Sequence, residues 1–81
     1  MKKLLACYRY QAPLDLMPSE ATELNRFVRS LDDAPCSNCN GPAHATVLLA
    51  VEPTEEQGQV TIVFGRFCLV CMALAKDEGV I

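Results

Sequence analysis

The alternation of apolar and polar positions changes period along this chain. Residues 4–10, LLACYRY, alternate with period two: Leu4, Ala6, Tyr8 and Tyr10 share one side, and Leu5, Cys7 and Arg9 the other. That pattern predicts a β-strand. The next segment, QAPLDLMPS, carries two prolines and reads as a connector. Ala21, Leu24, Phe27, Val28 and Leu31 then recur at helical spacing, predicting an amphipathic helix over residues 19–31. Ser19 is its expected N-cap, with Glu20 and Glu23 in the first turn, where the helix dipole favours negative charge. The residues DDAP end it.

Two runs rich in Val, Ile, Leu, Thr and Phe follow, HATVLLAVE and VTIVFGRF. The polar PTEEQGQ divides them, and together they predict a β-hairpin. From about Phe67 to Glu78 the period returns to helical. Lys76 falls in the last turn and Gly79 is placed to cap the C-terminus. The expected architecture is a small α+β domain spanning residues 1–81. Residues 1–35 supply a strand and a helix, and residues 36–81 supply the cysteine-bearing remainder.

Composition narrows the picture. With 81 residues the core is marginal, and scaffolds of this size commonly need a disulfide, a metal or a partner subunit. A 51% hydrophobic content argues against intrinsic disorder. The formal charge of −3 weighs against a protein that coats nucleic acid, because such binding rests on Lys and Arg neutralising phosphates. No apolar run approaches the roughly 18–20 residues needed to cross a bilayer. The opening MKKLLAC looks like a lipoprotein signal, but only Leu4, Leu5 and Ala6 separate the lysines from Cys7. A signal needs an apolar stretch of roughly 7–15 residues, so a cytoplasmic protein is expected. In a reducing compartment, paired cysteines point to metal more often than to disulfides.

Four of the five cysteines form the pattern C-x2-C-x28-C-x2-C, at Cys36, Cys39, Cys68 and Cys71. Each pair can present two sulfurs to one ion, and two pairs complete the tetrahedral thiolate shell of structural zinc. The spacer reads as one hairpin, which brings its ends together and would deliver the second pair to the first. Asn40-Gly41 suits a tight knuckle with a left-handed turn. The second pair runs directly into MALAKDE, so it falls in the first turn of a helix, with both thiols on one face. The helix N-terminus also stabilises thiolates there. One zinc is therefore expected. A mononuclear iron site is the chemical competitor, although such sites usually have two glycine-bearing knuckles and this chain has one.

Knuckle, hairpin and a helix carrying the second pair is the order of a treble-clef zinc finger. The segment from CSNC to the end resembles that superfamily, with the four cysteines as the specific motif. CSNCN and FCLVCMALA are also distantly similar to the zinc-binding domain of the ClpX chaperones. That resemblance implies a dimerising module that receives adaptors and substrates.

Other residues invite sharper readings that the sequence does not carry. His44, the single histidine, could replace a cysteine as ligand, but four cysteines suffice and a polar strand-start residue is the simpler reading. A His-based metallonuclease would need further ligands. PCSNC matches half of a nucleotide-deaminase signature, yet no histidine precedes Cys36 to supply the rest. Cys7 reads as a small buried hydrophobe rather than a nucleophile. Arg9, Arg26, Arg29 and Arg66 could form a basic face, but ten acidic residues accompany seven basic ones. Glu52, Glu55 and Glu56 make the hairpin tip acidic.

A closed four-sulfur site leaves no position for substrate, so no enzyme is expected. The expected function is a protein-interaction module: an adaptor, regulatory subunit or inhibitor of the kind found among bacterial or phage accessory proteins. Its partner is another protein or a second copy of the chain. Leu69, Val70, Met72 and Leu74 are the expected partner-binding residues, because a helix apolar nearly all round is either fully enclosed or partly open. The alternatives are a zinc-finger transcriptional regulator, which the charge disfavours, and a redox or metal-handling protein.

Overall fold

The computed structural model describes residues 6–15 and 17–79. It is an α+β arrangement of two helices and a three-stranded antiparallel sheet: β1 (Tyr8–Pro13), α1 (Pro18–Ser30), β2 (Ala45–Pro53), β3 (Gln59–Phe67) and α2 (Leu69–Asp77). The sheet order is β1-β3-β2, so β3 is central. The β2–β3 hairpin forms as its composition predicts, and Gly58 turns its loop with a φ of 78°. The first strand pairs with β3 from Tyr8↔Phe64 to Pro13↔Gln59. This tie joins the N-terminal segment to the hairpin, and local patterning does not specify it.

Strand alternation assigns the two sheet faces. Tyr10 and Phe64 lie on one, and Phe27 of α1 stacks between them, with ring centroids 5.0 Å from Tyr10 and 6.0 Å from Phe64. Gly65 and Phe67 lie on the other. There Phe67, Cys36, Cys71 and Ala75 form a buried cluster, packed round by Ala43, Val47, Leu49, Cys68 and Met72. A register shift between Leu48 and Ala50 marks a bulge in β2. Gly65 allows close packing on this face: a Cβ there would lie 2.9 Å from Leu49 Cδ1 and 3.1 Å from Phe67 Cε2, so those side chains would have to shift.

Several boundaries differ from the sequence expectation. Among the described residues the first strand runs over 8–13 and extends past the expected end at Tyr10, so QAP belongs to the sheet. Proline is tolerated at residue 13 because β1 is an edge strand. The part of that expectation resting on Leu4 and Leu5 lies outside the described residues. Ser19 is not the N-cap of α1. Pro18 takes the first helical position, where its fixed φ and missing N–H cost nothing, and Met17 becomes the cap. Glu20 then reaches back to accept from the Met17 N–H at 3.0 Å. The second helix starts at Leu69, with Cys68 as its N-cap, rather than at Phe67, which completes β3.

Candidate metal centre

Each cysteine pair is shaped by its own backbone. In the first, the Cys36 N–H donates to Gly41 O at 2.8 Å and the Asn40 N–H to Cys36 O at 2.9 Å, closing a tight knuckle. Its left-handed residue is Asn40, at φ 62°, rather than Gly41. Asparagine tolerates that region better than most residues. In the second, Cys68 caps α2 and its Sγ accepts the Cys71 N–H at 3.4 Å. Capping explains why the pair spans the helix start: one sulfur satisfies an N–H that the helix leaves unpaired, and the other follows on the same face.

The hairpin brings the pairs together. All four ligand atoms lie within 4.8 Å of one another, and Cys39 Sγ sits 3.8 Å from Cys68 Sγ. A tetrahedral ion with metal–sulfur bonds of about 2.3 Å needs sulfurs about 3.8 Å apart. The donor set therefore fits a tetrahedral four-thiolate metal ion. Cys36, Cys39, Cys68 and Cys71 all take part, as their spacing predicts. His44 stays out: it is exposed, and its backbone N–H donates to Phe67 O at 2.8 Å. Cys7 is half-buried beside β1 and belongs to no ligand group among the described residues.

The thiols also fit a cation electrostatically. At Cys36, burial opposes ionisation, but the backbone N–H groups of Cys39, Cys68 and Asn38 outweigh it and bring the thiol down to about 6. Cys68 is lowered by the Cys71 backbone N–H. At Cys71 the Asn38 amide favours the thiolate, yet the neighbouring Cys68, burial, and the Cys36 and Cys39 sulfurs push it up to about 12. Four sulfurs this close cannot all ionise unaided, and a divalent cation removes that conflict.

Three residues hold this centre; the sequence reading passed over Asn38 and Ser37 and weighed Arg66 only as part of a surface basic face. The Asn38 side-chain amide donates to Cys71 Sγ at 3.3 Å, bridging the two pairs. Ser37 is fully buried and ties the knuckle to β3. Its N–H donates to Arg66 O at 2.7 Å, and its Oγ accepts the Arg66 N–H at 3.0 Å. Arg66 is not part of a basic face, since only 5% of it is exposed. Its guanidinium donates to Ala34 O at 3.3 Å, Asp32 O at 2.8 Å and Thr46 Oγ1 at 2.9 Å, clamping the segment that leads into Cys36. A lone arginine inside the apolar run VTIVFGRFCLVC was the available signal.

Of the expected partner-binding residues, Leu69, Val70 and Leu74 face outward, with 65%, 70% and 45% exposed. With Ala73 and Asp77 they line a shallow apolar depression on α2. Met72 is half-buried against the core cluster. Among the described residues no helix is long and apolar enough to cross a membrane. No protein-family model, curated protein or solved structure matches the chain.

Proposed function

We propose that this chain is a treble-clef, structural-zinc interaction module, which serves as an adaptor, regulatory subunit or inhibitor by docking a protein partner on the outward face of α2. The observation that carries this reading is the exposed stripe of Leu69, Val70 and Leu74 on a short helix whose opposite side holds the metal centre. A contiguous exposed apolar patch is a common mark of a protein-interaction surface. Zinc is favoured over iron by the asymmetry of the site, with one glycine-bearing knuckle and one helix start. The knuckle, hairpin and helix follow the order of the treble clef. The site binds its ion with four sulfurs, so zinc supplies folding energy rather than a Lewis-acid position for substrate. Four thiolates add −4 and a divalent zinc adds +2, taking the formal charge from −3 to −5.

That charge, and the burial of Arg66, rank a nucleic-acid regulator below the interaction module. The test is affinity capture from the native host with wild-type protein and a Leu69→Ser/Val70→Ser variant. The account expects a partner that wild type retains and the variant loses, with zinc content and melting temperature unchanged. An identical set of captured proteins contradicts it. So does submicromolar, sequence-selective DNA or RNA binding at physiological salt.

A further inference from the structure

The four sulfurs are unequal toward solvent. Cys36 and Cys71 are buried, Cys68 is half-buried, and Cys39 is exposed. Two of the others are also hydrogen-bonded: the Asn38 amide donates to Cys71 Sγ, and the Cys71 N–H donates to Cys68 Sγ. Cys39 Sγ lies 3.8 Å from Cys68 Sγ. Hydrogen bonds to a thiolate stabilise its charge, and a stabilised thiolate is a weaker nucleophile. Access therefore singles out Cys39, and hydrogen bonding weakens Cys68 and Cys71 as competitors for the peroxide.

The neighbouring glycine keeps that sulfur open. A Cβ at residue 41 would lie 3.5 Å from Cys39 Sγ, an ordinary contact that would cover one side of it. Gly41 is not in the left-handed region, so alanine is tolerated there without backbone strain.

We propose that Cys39 is the site at which a hydroperoxide oxidises the metal centre, and that Cys68 resolves the product. This rests on the zinc reading above. The Cys39 thiolate attacks the terminal peroxide oxygen. The O–O bond breaks, a sulfenic acid forms on Cys39, and an alkoxide (hydroxide, for hydrogen peroxide) leaves. The Cys68 thiolate then attacks the Cys39 sulfur, hydroxide leaves, and the S–S bond forms. Two thiolates lose two electrons in all, and the peroxide takes them. Two of the four donors are thereby withdrawn from the metal, and it is released. Cys36 and Cys71, in the buried cluster, stay reduced. Cys68 is the resolving sulfur because it touches Cys39 and is the more open of the remaining three. A dithiol reductant reverses the process.

The test treats zinc-loaded wild type and Gly41→Ala with hydrogen peroxide. Zinc content is measured first, release is followed with a chromophoric chelator, and the first disulfide is mapped by tandem mass spectrometry. The expected result is an intramolecular Cys39–Cys68 disulfide, and release slowed about threefold or more in Gly41→Ala, as shielding a thiolate requires. Both proteins should carry equal zinc beforehand, and dithiothreitol should restore binding. A first disulfide at Cys36–Cys39, at Cys68–Cys71 or through Cys7 overturns the proposal, as do equal release rates. Absence of zinc before peroxide is added defeats the zinc reading itself, and the proposal falls with it.

Discussion

Replacing Arg66 by methionine tests whether the clamp on the knuckle is energetically real. Methionine roughly keeps the side-chain length and removes the charge. Three side-chain hydrogen bonds are lost, to Asp32 O, Ala34 O and Thr46 Oγ1. Bonds from a charged donor contribute about 1.5–3 kcal/mol each. Against that loss, a guanidinium that is 5% exposed no longer has to be desolvated, which offsets several kcal/mol. Asp32 is exposed and Ala34 half-exposed, so water can reach their freed carbonyls and keep the cost low. The balance is a destabilisation of about 2–4 kcal/mol, a large part of the stability of a domain this size. Arg66→Lys keeps the charge but replaces a planar fork with a single ammonium, which cannot span all three acceptors. Its cost should lie within about 1 kcal/mol of that of the methionine variant. The assay is urea unfolding followed by circular dichroism at a fixed, saturating zinc concentration, because bound metal shifts apparent stability. A methionine variant as stable as wild type would refute the clamp. A lysine variant that restores wild-type stability would refute the role given to the fork.

The remaining predictions concern the ligands and their protons. Cys36→Ser or Cys71→Ser should abolish stable folding, whereas Cys7→Ser and His44→Ala should keep zinc and fold; zinc loss in His44→Ala would show the ligand set to be wrong. Zinc affinity should fall steadily as pH falls, because the thiols of the unfolded, metal-free chain are protonated and must lose their protons to bind the ion. Competition titrations against a chelator from about pH 5 to 8 check this, and an affinity independent of pH contradicts thiolate ligation.

The metal cluster was legible because Cys-x-x-Cys is a local geometric signature, and the apolar runs between the pairs identify the hairpin that closes it. The hairpin and both helices were legible for the same reason, since period and composition are local. The boundaries were less so. At Pro18, a residue suited to the first helical position overrode the capping preference of Ser19. The pairing of β1 with β3 was hidden because it joins residues more than forty positions apart, and no local pattern encodes such a partner. Arg66 was misread, and Ser37 passed over, for a related reason. Charge and polarity suggest solvent, and only the folded chain reveals the backbone carbonyls and the amide that satisfy them internally.

Elemental analysis of the purified protein, followed by chelation under circular dichroism, tests the central claim most directly. A structural four-thiolate zinc contributes on the order of 10 kcal/mol or more to folding. One zinc per chain is expected, and its removal should unfold at least the half of the chain from Cys36 onward. A well-folded protein carrying no metal, or one carrying stoichiometric iron, would contradict the account.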